Sequence, residues 1–408
     1  MRIGARVRRV GDHLRGLLPS LRLRHEVSGR RVLAVHLLET GLREHVEPIL
    51  QWLLAHDDCL ILIVVRSGQR EEFIRSSTLP LAEHPRLKVV VEERFLAKLI
   101  HPGVLLTLHP ETRSRVADAW GDGRVFRVAM QHGLPDKEVF FVPDGRGDTL
   151  GCYDGLFLYG PASRNGSLRL YAQRYPDNYR RLQLFDVGYP KTDSLKSSEA
   201  VRNEVLRGLG LAPERPTICY APTYQRTASL EWQGSEIIRG LASLDVNLIV
   251  KLHHVSLKRP GPDLEKWVMA ETGGKDWRAI LRTIERNHPN VRLAPSHDAN
   301  PYLIAADVLV TDVSGVAFEF LLLDRPIVFF DVPELFDQFG RTGLHFTGRS
   351  CGQIVSSVEQ MCEGVRLALA NPQIGRDRRQ ELRDRLVYNP GTATEVAGRT
   401  LQALMRRR

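Results

Sequence analysis

Residues 31–65 read RVLAVHLLETGLREHVEPILQWLLAHDDCLILIVV. Arg31–Leu38 and Cys59–Val65 are short and almost continuously apolar, as suits strands buried on both faces of a parallel sheet. Between them Leu42, Val46, Ile49, Leu50, Leu53 and Leu54 recur at helical spacing, so Leu42–His56 is expected as an amphipathic helix. Strand, helix and strand in this compass make a βαβ unit.

The alternation continues along the chain. Further strand candidates are Leu87–Val91, Val104–Leu108, Val125–Met130, Leu156–Tyr159 and Leu184–Val187. A second series follows at Thr217–Ala221, Leu248–Leu252, Val291–Leu293, Val308–Thr311 and Ile327–Phe330. Repeated βα units of this kind predict an α/β protein of two doubly wound, Rossmann-like domains. Gly188-Tyr189-Pro190-Lys191 closes the first series, and Ala212-Pro213-Glu214-Arg215-Pro216 resets the chain for the second. The expected division is a basic amphipathic helix over residues 1–27, a first domain over 28–190 and a second over 191–408. Two facing domains would leave a cleft, and ligands of such sheets sit beyond the carboxyl ends of strands.

The length of 408 residues suits two or three domains. With 43% hydrophobic and 26% charged residues, the composition excludes global disorder, collagen-like repeats and small disulfide scaffolds. No apolar run approaches the roughly 18–20 residues that a bilayer-spanning helix needs. No secretory apolar region follows the basic N-terminus, and the five cysteines form no CxxC pair, so a reducing, cytoplasmic setting is expected. Cys59 and Cys219 lie in apolar strands and read as buried free thiols. The net charge is +9, yet aromatics are only 7% and no aromatic RNA-binding motif accompanies the arginines, so nucleic acid is not an expected partner.

Residues just after the strands are the ones placed for chemistry. Asp307 to Glu319 reads DVLVTDVSGVAFE: a buried strand, a polar turn, then an apolar helix from about Gly315. Thr311, Ser314 and the N–H groups near Gly315 form a candidate anion site at the positive end of that helix. Glu319, about one turn on, suits hydrogen bonds from sugar hydroxyls. The plainer alternative is that Ser314 caps the helix and Glu319 lies on a solvated face. Two other strands run into Lys251-Leu252-His253-His254 and Thr223-Tyr224-Gln225-Arg226, whose cations, imidazoles and hydroxyl suit phosphate oxygens. A metal is not expected there. Adjacent strand residues point to opposite faces, and no carboxylate or cysteine stands at ligand spacing to His253 and His254.

In the first domain, the strand ending at Met130 runs into Gln131-His132-Gly133-Leu134-Pro135. Imidazole titrates near neutrality, so His132 on this sharp exit suits a general base that deprotonates an attacking hydroxyl. The alternative is a structural histidine bonded to turn backbone. No Walker A pattern or Asp-x-Asp pair occurs, and no GxGxxG follows a strand, which leaves P-loop kinases, NAD enzymes and metal-clamped diphosphate chemistry without their usual anchors. No cofactor is expected.

Gln131-His132-Gly133, Gly188-Tyr189-Pro190-Lys191-Thr192-Asp193, Tyr220-Ala221-Pro222-Thr223, Lys251-Leu252-His253, Ala306 to Ser314, Phe318-Glu319-Phe320 and Asp324-Arg325-Pro326-Ile327 follow one another in that order. Together they resemble the CDP-glycerol glycerophosphotransferase family, which includes teichoic-acid primases and poly(glycerol phosphate) polymerases. The resemblance runs from about Gln131 to Asp331, half the chain. It implies a GT-B fold, with nucleotide in the C-terminal domain and acceptor in the N-terminal one. It also implies transfer of an alditol phosphate from a CDP-activated polyol to a hydroxyl, releasing CMP, without metal. The implied acceptor is a polyol phosphate or glycan of the cell envelope, teichoic acid or capsule, carried on lipid. Carried over by position, His132 is the catalytic base. His253, Thr311, Ser314 and Gly315, with Arg226 and Lys251, surround the donor phosphates, and Glu319 and Thr223 meet the nucleoside.

The chain departs from the family pattern at several places. Leu134-Pro135 follows His-Gly where Thr-Pro is common, and Gln225 separates Arg226 from the aromatic Tyr224. His254 stands where Pro is usual, and Gly315 replaces a common serine. A GT-B glycosyltransferase or epimerase using a UDP-sugar would share the paired domains, but does not account for His132-Gly133 together with Lys251-x-His253. A non-catalytic GT-B-like binding module does not account for titratable groups in both domains.

At the N-terminus, Ile3, Val7, Val10, Leu14, Leu17, Leu18 and Leu21 fall on one helical stripe, with Arg8, Arg9, Arg15 and Arg22 largely opposite. Pro19 is expected to kink or end the first segment. Such a helix suits the interface of an anionic membrane, here the inner face of the cell membrane. The alternative is that the leucine stripe docks on the first domain.

Overall fold

The computed structural model describes residues 19–81, 83–92, 99–108, 115–131, 133, 141, 147–258 and 272–407. The chain forms two compact units, Met1–Asp193 with Val387–Arg408, and Ser194–Leu386. In the first unit, β1 (Val32–Leu37), β2 (Leu60–Val65), β3 (Leu87–Val91), β4 (Val104–Thr107), β5 (Phe126–Met130), β6 (Gly155–Leu158) and β7 (Gln183–Asp186) form one sheet in the order β3-β2-β1-β4-β5-β6-β7. In the second unit, β8 (Thr217–Tyr220), β9 (Asn247–Val250), β10 (Val291–Leu293), β11 (Val308–Thr311), β12 (Ile327–Phe330) and β13 (Gln353–Val355) lie in the order β10-β9-β8-β11-β12-β13. All the pairings in both sheets are parallel. Both units are therefore doubly wound α/β structures, as the alternation predicts.

The continuous apolar runs have the expected cause. Every residue of β1, β2 and β4 is buried, because helices cover both faces of the sheet. The opening βαβ unit pairs Val32 with Leu60 through to Leu37 with Val65. Its helix, Arg43–His56, buries Val46, Ile49, Leu50 and Leu53. The second core gathers Ile218, Leu248, Val250, Val308 and Val310 from its central strands around Trp277 and Ile238. Strand β13 was not expected from the sequence. Three residues long, it lies at a sheet edge with Ile354 half exposed, so it carries no periodic signal.

The expected second domain over 191–408 is corrected at its tail. Residues 387–408 belong to the first unit, where the helix Ala393–Arg406 packs against Arg43–His56. Gly398 lies so close to Trp52 that a Cβ would overlap the indole. The Asp193 carboxylate accepts from the N–H groups of Ala393 and Thr394, at 3.2 and 2.7 Å. Asn389 Nδ2 donates to the carbonyls of Asp186 and Val187, at 2.8 and 3.1 Å. Gly188, at φ +93°, leaves room for the Tyr388 carbonyl, which any side chain would strike.

At the other end, residues 19–27 are helical, and Leu23 and Val27 join the first unit's core. Leu21, the one member of the expected stripe among the described residues, is exposed, so the residues that dock here are not those of the stripe. Ile3 to Leu18, with Arg8, Arg9 and Arg15, lie outside the described residues. Among the described residues no helix is long and apolar enough to cross a membrane. All five cysteines are buried and unbridged, and burial pushes the thiols of Cys59, Cys219 and Cys351 up to about 12, which makes them inert.

Candidate functional site

β8 lies between β9 and β11, so three strand exits stand side by side at the carboxyl edge of the second sheet. Backbone bonds keep them level. Lys251 N–H donates to the Tyr220 carbonyl and Ala221 N–H to the Val310 carbonyl, each at 2.9 Å. Thr311, expected on the donor phosphates, is fully buried, and its hydroxyl donates to the Ala221 carbonyl at 2.7 Å. Its side chain ties β11 to β8 instead of facing a ligand.

The turn above this level is organised by Asp312, to which the sequence reading gave no role. Its carboxylate is wholly buried and accepts from Thr223 N–H at 2.8 Å, Val313 N–H at 2.6 Å, Ser229 N–H at 3.0 Å and the Ser229 hydroxyl at 2.6 Å. Burial pushes its pKa up, and these donors offset that only in part. One side chain thus fixes the exit of β8, the exit of β11 and the start of the helix Ser229–Ala242.

Ser314 is half-buried and makes no side-chain hydrogen bond to any described residue. The helix Val316–Phe320 has no side-chain cap, so capping is not what occupies Ser314. A Cβ on Gly315 would meet nothing within 4 Å, and its φ of −56° is open to any residue, so the glycine leaves space above the turn. Glu319 is 5% exposed, which removes the solvated-face alternative.

At the exit of β9, Val255 N–H donates to His253 Nδ1 at 3.3 Å. The neutral ring therefore carries its proton on Nε2. The imidazole is exposed and stacks on Tyr224 at 4.7 Å, which ties the exits of β8 and β9. Lys251 Nζ donates to the Leu252 carbonyl at 3.1 Å, and the Thr223 hydroxyl to Gln225 Oε1 at 3.2 Å. Arg226 is exposed, and its charge acts on Glu231, the buried acceptor of the Trp277 indole N–H. Thr223, His253, Ser314 and Gly315 thus share one edge, while Arg226 lies to its side. Among the described residues, no three His, Cys, Asp or Glu side chains gather as a metal site.

In the first unit, His132 lies outside the described residues. Its neighbour Gln131 has a fully buried side chain, and its carbonyl accepts from the Tyr159 hydroxyl. Tyr159 stacks on Tyr189 at 4.4 Å, and the Tyr189 hydroxyl meets His45 Nδ1 at 3.0 Å. Lys191 pairs with Glu44 at 3.2 Å. Tyr189 and Lys191 of the Gly188–Asp193 segment therefore build the first unit's interior beside the β5 exit.

Residues 159–401 match the family CDP-glycerol:poly(glycerophosphate) glycerophosphotransferase. The chain belongs to this family. The teichoic acid poly(glycerol phosphate) polymerase of Bacillus subtilis (strain 168) is 23% identical over 198 residues, which are 45% of this chain and 23% of that protein. The chain thus matches about a quarter of that relative's length. Among solved structures, the wall teichoic acid polymerase TagF superposes with a TM-score of 0.66 at 14% identity, covering 98% of both chains. The UDP-GlcNAc 2-epimerase of Neisseria meningitidis, bound to UDP-GlcNAc, gives 0.54 at 12% identity, over 93% of this chain and 100% of that one. Arabidopsis thaliana UGT89C1, complexed with UDP-L-rhamnose, gives 0.55 at 12% identity over the same shares. These likenesses show the fold, which is of the GT-B type.

Proposed function

We propose that this chain transfers glycerol phosphate from CDP-glycerol to a hydroxyl of a polyol-phosphate or glycan acceptor, releasing CMP. The supporting observation is that the family match takes in the whole β9–β8–β11 edge, where a histidine N–H, an unengaged serine hydroxyl and an open glycine turn adjoin. In this reading His253 Nε2–H, the Ser314 hydroxyl and the N–H groups near Gly315 hold the donor diphosphate. Lys251 and Arg226 add positive charge around it, and Glu319 and Thr223 meet the nucleoside. His132 takes the proton of the acceptor hydroxyl as that oxygen attacks the glycerol-bound phosphorus. The bond from this phosphorus to the CMP oxygen breaks, and the cationic groups offset the charge left on CMP.

The proposed acceptor is a lipid-linked polymer of the cell envelope, teichoic acid or capsule, met by a cytoplasmic protein at the inner membrane face. The basic residues before Pro19 would supply the membrane contact. Deleting residues 1–18 should then abolish salt-sensitive sedimentation with anionic liposomes. Full-length protein that ignores such liposomes at low salt would remove the membrane part of the proposal.

Nucleotide release from a panel of CDP-alditols and UDP-sugars tests the reaction. CMP from CDP-glycerol is the expected product. UDP from a UDP-sugar alone would favour a glycosyltransferase, and no release by folded protein would favour a binding module. His132→Ala should lower kcat by roughly 10²–10⁴ with donor affinity little changed. Near-normal turnover would sink the role of His132.

A further inference from the structure

We infer that His254 is a positioning residue for the donor edge: its ring, backed by His297, clamps His253 in the orientation that turns Nε2–H outward. Four rings stand in file across the exits of β8, β9 and β10. Tyr224, His253, His254 and His297 follow one another with centroid separations of 4.7, 4.3 and 4.7 Å. Tyr224 stacks on His253 at an interplanar angle of 28°, and His254 bears on the same ring at a tilt of 36°, so we take the two rings to sandwich His253. The 3.3 Å bond from Val255 N–H to Nδ1 is long, and on an exposed ring it needs that sandwich to persist.

The clamp works with an uncharged ring in its middle. His297, Lys258 and Lys251 act on His254, and each disfavours an imidazolium there. Burial first, then His297, Lys258 and Lys251, push His254 down to about 4, so it stays neutral around pH 7. His254 thus contributes shape and contact next to a histidine that contributes the hydrogen-bond donor.

The inference rests on the donor role proposed for His253, so its test has an arm that needs no turnover. In full-length protein labelled with ¹⁵N-histidine, long-range ¹H–¹⁵N spectra report the His253 tautomer, assigned by its loss in His253→Gln. The wild type should hold the Nε2–H form. His254→Ala should drift toward the mixture of a solvent-exposed imidazole, and His254→Phe should restore the single form. His297→Ala, which removes only the backing ring, should shift it in the same direction. With CDP-glycerol, His254→Ala should raise KM about tenfold with kcat changed less than about twofold, and His254→Phe should recover most of that loss. An unchanged His253 tautomer in both alanine variants overturns the inference, whatever the protein does with CDP-glycerol. A changed tautomer in a protein that never releases CMP supports the clamp and rejects the donor reading instead.

Discussion

Asp312 concentrates four hydrogen bonds on one buried carboxylate, three of them from backbone N–H groups. A buried donor left without its acceptor costs about 1–3 kcal/mol. Asp312→Ala should therefore lower stability by about 3–5 kcal/mol in urea titrations, the three orphaned N–H groups not adding in full. A loss under about 1 kcal/mol would mean that the strand exits are held by something else. His254 sets a pH limit at the same scale. Its folded pKa lies near 4, below the ordinary 6.5, so between these values the unfolded chain binds a proton that the folded chain refuses. This contribution is full above pH 6.5 and falls away toward pH 4, by on the order of 2 kcal/mol after allowance for the ring's partial exposure. A stability profile flat over that window in wild type, or unchanged in His254→Phe, would contradict it. Residues 307–319 were legible as strand, turn and helix, and Ser314 and Gly315 do stand open there. Thr311 was misread because nearness to a strand end does not say which way a hydroxyl turns. Asp312 was missed because its partners Thr223 and Ser229 lie more than 80 residues away in sequence, beyond any local pattern.

Among the elements, the twelve expected strands were legible because a parallel sheet covered on both faces leaves uninterrupted apolar runs. The tail that forms the helix Ala393–Arg406 was assigned to the second domain rather than to the first unit. Its amphipathic stripe says that one face is covered and does not say by what. The partner is Arg43–His56, and the contact turns on Gly398, where the Trp52 ring takes the place of a side chain. Gly398→Ala forces the two helices apart or the indole from its rotamer, a cost of about 1–3 kcal/mol. Thermal melts should register it. In a Trp52→Ala background the same substitution should cost clearly less, because the obstructing ring is gone. Equal costs in both backgrounds would place the strain elsewhere.

For the whole molecule, the return of the tail makes the first unit discontinuous and the second an uninterrupted insertion between Asp193 and Val387. The two should therefore differ sharply as isolated pieces. Residues 194–386 contain all six strands of the second sheet, their core around Trp277, and the Asp312 hub. A segment with its own core and few severed contacts folds alone. This fragment should melt cooperatively and, on the proposed function, bind CDP-glycerol without turning it over, since His132 is missing. Residues 1–193 alone lack the helix that covers Trp52 and the N–H groups that Asp193 caps, so apolar surface is exposed and a half-buried carboxylate loses its donors. They should be aggregation-prone, while the same residues joined to 387–408 through a short Gly/Ser linker should regain a cooperative transition. Circular dichroism melts of the three fragments make the comparison, with calorimetry on the first. A 1–193 fragment that melts as sharply as the linked form would show that the tail adds little to the first unit, and an unfolded 194–386 would show that the second unit depends on the chain around it.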